Sequence, residues 1–306
     1  MSGDAPEADV AVDAALVTRL VAAQHPEFLG EVRPVASGWD NAILRLGERW
    51  AVRMPRREVA AGLVASELRW LGEVAGTLPD GVLAPVPVAA GEPAEGYPYP
   101  WSITPWFDGA AATSVDPIMR RDLAEPLADV IVTLGRPAPA EAPHNPFRGV
   151  PLASRADVVP QRIASGRLER VAATDAAALA AHWRDALAAP AWTGAPRWVH
   201  GDLHPGNLLV EPADGGGVRL VAVLDFGDLC AGDPATDLAA AWMVFDAEGR
   251  RRFRRRIESL RATDAADWAR ARGWAILMGT AIVDAIGVEG PIGRVGAHAL
   301  VEVLGV

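Results

Sequence analysis

The chain has 306 residues, half of them apolar, which is enough to bury a large core and long enough for two lobes. Its formal net charge is −10 at pH 7, with no basic block at either end; this argues against nucleic acid as a partner, because phosphate binding needs clustered cations. A single cysteine, Cys230, excludes an intrachain disulfide, and its place in an acidic turn reads as a small buried residue rather than a reactive thiol.

In chain order, Met1 to Asp9 is polar and acidic and lacks the basic and apolar regions of a signal peptide. No apolar run approaches the ~20 residues of a membrane span, so the expected location is cytoplasmic, with no membrane partner. Residues 11–24 carry apolar side chains at helical spacing and end before Pro26. Val32 to Val35, Ala42 to Leu46 and Trp50 to Met54 read as three short strands, with turns at 37–41 and 47–48. Residues 58–76 read as a helix, and Pro85 to Ala90 and Pro100 to Thr104 as two further strands. Beyond Pro105 the pattern turns helical, with expected helices at 116–135, 152–169, 175–189, 235–261, 264–285 and 294–304. A proline-rich stretch, 137–151, reads as a loop, and a strand pair around 207–225 interrupts the helices.

The most informative stretch runs Trp198-Val-His-Gly-Asp-Leu-His-Pro-Gly-Asn-Leu-Leu-Val210, followed by an acidic turn from Val223 to Leu238. Asp202 and Asn207 lie five positions apart on one loop, and Asp225 ends the strand that follows. One base candidate and two oxygen ligands for a hard cation therefore gather at one end of a small sheet. Phosphoryl transfer needs this set: a carboxylate to orient a hydroxyl and accept its proton, and an amide and a carboxylate to hold Mg²⁺ on nucleotide phosphates. Asp233 and Pro234 read as a helix start, with Asp233 as the cap and Pro234 in the first position.

At these residues the chain resembles the aminoglycoside phosphotransferase family. The family's His-Gly-Asp-x-His-x-x-Asn loop matches His200, Gly201, Asp202, His204 and Asn207, and its second motif matches Asp225, Phe226, Gly232, Asp233, Pro234 and Asp237. The resemblance implies an α+β, protein-kinase-like fold of two lobes. A small β-rich, nucleotide-binding lobe would span residues 1–107, in the strand order β-β-β-α-β-β. A larger, mainly helical lobe over 108–306 would carry the catalytic loop and bind the acceptor. It also implies the roles. Asp202 is catalytic, Asn207 and Asp225 hold Mg²⁺, and His200, His204 and Asp237 support the loop. Ser37 and Gly38 lie in the turn that covers the triphosphate, and the backbone near Trp106 and Phe107 meets the base. Arg53 takes the place of the usual lysine on the third strand, paired to Glu67 on the next helix; arginine keeps the charge but brings a fork geometry.

The expected activity is transfer of the γ-phosphate of ATP or GTP to a hydroxyl of a small molecule, an aminoglycoside or macrolide antibiotic or another metabolite. Only eight positions separate Asp225 from Asp233, too few for the activation segment of a protein kinase. Two other readings stand beside this one: a catalytically inactive, nucleotide-binding protein on the same fold, left open by Arg53, and a metal-dependent hydrolase built on His200, Asp202 and His204. The basic run from Arg250 to Arg256 reads as a solvated helix face with Phe253 and Ile257 turned inward. Trp242, Trp268 and Trp274 read as core, and the role of Asp228 stays open.

Overall fold

Asp13 sets the start of the first helix: its carboxylate accepts the Leu16 N–H at 2.7 Å, so α1 is Ala14–Gln24 and the expected residues 11–13 lie outside it. A computed structural model describes residues 8–37, 40–171 and 175–305. The chain divides into two units. The first comprises Met1–Gly76, Leu83–Asp108 and Asp225–Gly227; the second comprises Thr77–Val82, Gly109–Leu224 and Asp228–Val306.

In the first unit, β1 (Val32–Ser37), β2 (Asn41–Leu46) and β3 (Trp50–Pro55) are followed by α2 (Glu58–Ala75), β4 (Ala89–Gly91) and β5 (Trp101–Pro105). The strands form one antiparallel sheet in the order β1-β2-β3-β5-β4. Along β2 the side chains of Ala42, Leu44 and Leu46 are buried and their neighbours are not, the alternation of a half-covered strand. They pack with Val52, Met54, Trp101 and Ile103 against Leu16, Val17, Leu20 and Val21 of α1. Each valine, leucine, isoleucine or methionine among them, fully buried, contributes about 1.5–3 kcal/mol. The fourth strand is shorter than expected and begins at Ala89, because Pro85 and Pro87 have no N–H to give to a ladder.

The second unit opens with β6 (Ala110–Ala111), and a 3₁₀ turn over Met119–Leu123 leads into α3 (Ala124–Leu134). Next come α4 (Val158–Ala164), α5 (Ala176–Ala188), β7 (Arg197–Val199), β8 (Leu208–Pro212), β9 (Val218–Val223) and β10 (Cys230–Gly232). The chain ends in α6 (Ala235–Leu238), α7 (Ala240–Met243), α8 (Ala247–Leu260), α9 (Ala265–Ile286) and α10 (Gly290–Leu304). Strands β6, β8 and β9 make a small sheet, and β10 pairs antiparallel with β7, Cys230 opposite Val199. Helix α9 starts at a reciprocal capping box between Asp264 and Asp267 and is buried along most of its length, with α4, α5, α6 and α10 around it.

Two expected helices are broken, and a third, at 116–135, is α-helical only over α3, after its 3₁₀ turn. The one at 152–169 becomes a 3₁₀ turn, α4 and a second 3₁₀ turn, because Gly166 takes a left-handed conformation. The one at 235–261 becomes α6, α7 and α8, because the Asp246 carboxylate accepts the Gly249 N–H and begins a new helix. On α8, Phe253 and Ile257 are buried. Arg250, Arg251, Arg252, Arg254 and Arg256 of the run pair with Glu302, Glu248, Glu258 and Asp129, the solvated face expected. Among the described residues no helix is long and apolar enough to cross a membrane.

Candidate active site

The loop between β7 and β8 is held by its own backbone and by one buried carboxylate. Asp237, in α6, accepts the N–H of His200 at 2.8 Å and of Gly201 at 2.9 Å. Burial raises the Asp237 carboxyl, opposed by His200 and by these two N–H groups. Gly201 has φ +89°, and a Cβ there would stand 2.9 Å from the Asp228 backbone oxygen, so both the conformation and the close approach require glycine. The fully buried His200 takes the Asp202 N–H on Nδ1 at 3.2 Å, which leaves Nε2 to donate to the Leu224 carbonyl at 3.1 Å. This bridges the loop to the end of β9.

These restraints fix Asp202. Asn207 donates from Nδ2 to the Asp202 backbone carbonyl at 2.9 Å and to Oδ2 at 3.2 Å. With the amide nitrogen so engaged, its oxygen is the atom left for a cation. His204 accepts the Gly206 N–H on Nδ1 at 3.0 Å and presents Nε2 to Asp202 Oδ2 at 3.4 Å. Oδ2 is thus flanked by an amide and an imidazole, while Oδ1 faces Arg148 at 3.5 Å. Burial by itself would raise the Asp202 carboxyl; His204, Arg148 and His200 more than reverse this and hold it well below the usual carboxylate range. Asp202 is therefore an anion at neutral pH, weakly basic and firmly oriented.

Arg148 lies in the proline-rich loop and carried no signal in the sequence. Its Nε donates to the Gly201 carbonyl at 2.7 Å and lies 3.5 Å from Asp228 Oδ2. Asn145, in the same loop, donates to Asp228 Oδ1 at 2.7 Å. Asp228, whose role was open, thus anchors this segment. Asp233 accepts the Ala235 N–H at 2.9 Å, but α6 begins one residue later than expected, with Pro234 rather than Asp233 in the cap position, and Asp233 faces Arg270 of α9 at 2.8 Å in a buried ion pair that the sequence did not suggest. Cys230 is buried, its thiol pushed up by burial and nearby carboxylates. The Trp268 and Trp274 side chains are buried and Trp242 is half-buried.

In the first unit a second cluster forms around Arg53. The buried face of α2 carries Ala60, Val64, Glu67, Leu71 and Val74, so Glu67 stands where the helical stripe calls for an apolar residue. Its carboxylate, 3% exposed, meets Arg53 Nη1 at 2.9 Å. Nη2 of the same guanidinium, in a residue 7% exposed, meets Asp225 Oδ1 at 2.9 Å. Burial pushes Glu67 up to about 7 against the pull of Arg53, and Arg53 is raised by Glu67 and Asp225 against burial. Asp225 adopts φ +59°, a left-handed conformation that Asp tolerates better than most residues. Among the described residues its Oδ2 has no hydrogen-bond partner, so one hard oxygen stays open.

Of the expected base-binding segment, the Trp106 N–H is engaged by the Arg49 carbonyl at 2.8 Å, and its ring lies under Arg45 at 4.6 Å. Phe107 is half-buried. Ser37 ends β1 with its backbone paired to Ala42; Gly38 lies outside the described residues. Among the described residues no cluster of three or more His, Cys, Asp or Glu is placed to hold a metal. The ring nitrogens of His200 are engaged as described, which weakens the hydrolase reading.

The family model described as the phosphotransferase enzyme family matches residues 31–274. No curated protein matches the chain. Among solved structures, the GDP complex of wild-type aminoglycoside 2'-phosphotransferase-IIIa is 17% identical with a TM-score of 0.67, over 96% of this chain and 99% of that one. The macrolide 2'-phosphotransferase MphH from Brachybacterium faecium, as apoenzyme, is 20% identical with a TM-score of 0.55, over 94% and 97%. The streptomycin–ATP–APH(2")-IIa ternary complex is 19% identical with a TM-score of 0.56, over 88% and 90%. These likenesses show the fold, a protein-kinase-like one with a small antiparallel sheet and a larger helical part. With the family match covering most of its length, the chain belongs to the phosphotransferase enzyme family.

Proposed function

We propose that this protein transfers the γ-phosphoryl group of ATP or GTP to a hydroxyl of a small molecule. The observation that supports it most is the setting of Asp202: a carboxylate kept ionised, one oxygen held by Asn207 and His204, the other turned away from them. In this reading Asp202 Oδ1 orients the acceptor hydroxyl. As the acceptor oxygen bonds to phosphorus, the bond from phosphorus to the bridging oxygen breaks, the nucleoside diphosphate leaves, and the hydroxyl proton passes to Asp202 late in the transfer. A weak base suffices because the transition state is loose.

Residues 1–107 would bind the nucleotide and 108–306 would supply the catalytic loop and the acceptor site. Arg53, braced by Glu67, would contact the phosphates; Ser37 and Gly38 would lie over them, and the Trp106 carbonyl and Phe107 N–H would meet the base. The Asn207 amide oxygen and Asp225 Oδ2 are hard donors of the kind Mg²⁺ takes. When bound there, Mg²⁺ supplies charge neutralisation on the phosphates. His200, His204 and Asp237 would keep the loop in shape. An aminoglycoside or macrolide acceptor rests on the structural likeness alone, and streptomycin and macrolides are the first compounds to test for that reason.

A second reading has one observation in its favour. Arg53 already holds Asp225, as a built-in cation would in a nucleotide-binding protein without turnover. The test is nucleotide consumption with Mg²⁺ against a panel of hydroxylated acceptors, comparing wild type with Asp202→Ala. Acceptor-dependent turnover that falls about 10²–10⁴-fold in the variant, with nucleotide binding kept, supports the transferase. Turnover that survives the substitution refutes the role of Asp202, and binding without turnover for any acceptor favours the second reading.

A further inference from the structure

Against the ring that precedes Arg148 in sequence lies a cation without a carboxylate. Arg155 ends the 3₁₀ turn Leu152–Arg155 and is half-buried. Among the described residues its guanidinium makes no hydrogen bond and no ion pair, and its Nε is buried without a partner. It lies 5.2 Å over the ring of Phe147, which is 55% exposed. Phe147 immediately precedes Arg148, the residue that reaches Asp202 Oδ1 and the Gly201 carbonyl.

A third guanidinium shares the neighbourhood. Arg162 of α4 donates to the Leu277 carbonyl at 2.8 Å and the Thr280 hydroxyl at 3.2 Å. Its protonation is disfavoured by burial and then by both Arg155 and Arg148, while Asp284 opposes the effect. Arg162 is tied through Nη1 to α9 and Arg148 to the loop that carries Asp202, whereas Arg155 makes no such bond among the described residues.

We propose that Arg155, with Arg148 and Phe147 beside it, forms an anion-accepting subsite, so that the molecule whose hydroxyl meets Asp202 carries a carboxylate or phosphate group. The proposal rests on the phosphotransferase reading for its Asp202 half. The guanidinium fork matches a carboxylate or phosphate through two parallel N–H bonds. The exposed ring offers a face for the carbon skeleton of the same molecule. Asp202 and Asp228 are flanked by Arg148, so this side of the loop does not present the bare carboxylates that a polycation needs. An aminoglycoside would bring several ammonium groups toward three guanidiniums. The chain's overall charge of −10 does not predict this local reversal.

The test is calorimetric binding without nucleotide, using matched probes: glycerate and glycerol 3-phosphate against glycerol, gluconate and glucose 6-phosphate against glucose, and kanamycin as the polycation. Wild type is compared with Arg155→Gln and Arg155→Lys, a half-exposed position where the fold is expected to survive and a thermal melt checks that it does. The expected result is that at least one anionic probe binds, more tightly than its uncharged counterpart. Affinity should fall about tenfold or more in Arg155→Gln and be largely kept in Arg155→Lys. The carboxylate and phosphate arms identify which group is taken. Equal binding of charged and uncharged probes, unchanged affinity in Arg155→Gln, preference for kanamycin, or no anion bound at millimolar concentration would each overturn the subsite. Binding of Mg²⁺-ATP and Mg²⁺-GTP is measured in parallel. Nucleotide bound with the anions refused sinks the subsite alone; anions bound with both nucleotides refused sinks the phosphotransferase reading and leaves the subsite standing.

Discussion

Asp237 and His200 are 37 positions apart, yet the carboxylate of the first accepts the backbone N–H of the second at 2.8 Å, and that of Gly201 at 2.9 Å, with all of it buried. A helix one turn long thereby sets the entry of the loop that carries Asp202. Asp237→Asn keeps the shape but turns an NH₂ group toward one of the two N–H donors. The expected cost is about 1–3 kcal/mol, the penalty of a buried polar group left unpaired. Urea unfolding measures it; a stability equal to wild type would mean that the loop holds itself without the tether.

Arg270 and Asp233 form a second buried restraint, at 2.8 Å, on the turn that leads into α6. Arg270 also donates to the Pro190 carbonyl at 2.7 Å and to Asp267. Arg270→Met strands the Asp233 carboxylate in the interior, and the expected loss is about 3–5 kcal/mol. Adding Asp233→Asn should recover part of that loss. A double-mutant cycle in denaturant reads the coupling, and strict additivity would show that the two groups do not support each other.

Asp202, Asn207, Asp225 and Asp237 could be singled out as candidates because they fall within two tight motifs of fixed spacing. Arg148, Asn145 and Arg270 could not. The first two lie in a proline-rich loop with no periodicity, and their partners are 50 to 90 positions away in sequence. Arg270 sits on the buried stripe of α9, where a periodic pattern predicts an apolar side chain. The helices showed the same limit. Apolar periodicity runs on through residues 235–261, and only the Asp246 carboxylate, bonded to Gly249 and to Arg121, reveals the break. The three strands β1 to β3 could be read because alternation and glycine-containing turns are local signals. The pairing of β10 with β7 joins short segments over 30 positions apart and has no such signal.

The pH dependence follows from the carboxyl of Asp202. Its folded value is held well below the ordinary carboxylate range, against burial, by His204, then Arg148 and His200. A depressed carboxyl stabilises the fold above its unfolded value, about 3.9, and that stability is lost as pH falls through the lower folded value. His204→Ala removes the largest of the lowering influences, so the folded value rises and the contribution shrinks. The acid unfolding midpoint is therefore expected at higher pH in the variant than in wild type, with little change in their difference above neutral pH. Coincident acid transitions would mean that His204 does not set the ionisation of Asp202.

Arg53 separates the two functional readings. Its guanidinium meets Glu67 and Asp225, each at 2.9 Å. Arg53→Met leaves Glu67 buried without its counter-charge, and a loss of about 3–5 kcal/mol is expected. Arg53→Lys keeps the charge, but an ammonium on an unforked stem cannot satisfy both carboxylates in the same way, so intermediate stability is expected. The decisive quantity is the affinity of Arg53→Lys for Mg²⁺-ATP and Mg²⁺-GTP. If Arg53 contacts phosphate, lysine keeps most of the affinity and methionine loses it, because the positive charge is what the phosphates use. If Arg53 instead stands in for a metal at Asp225, releasing that carboxylate lets the cation in. Both variants, where folded, would then bind Mg²⁺-nucleotide at least as well as wild type, and the assignment of Arg53 to the phosphates would have to be given up.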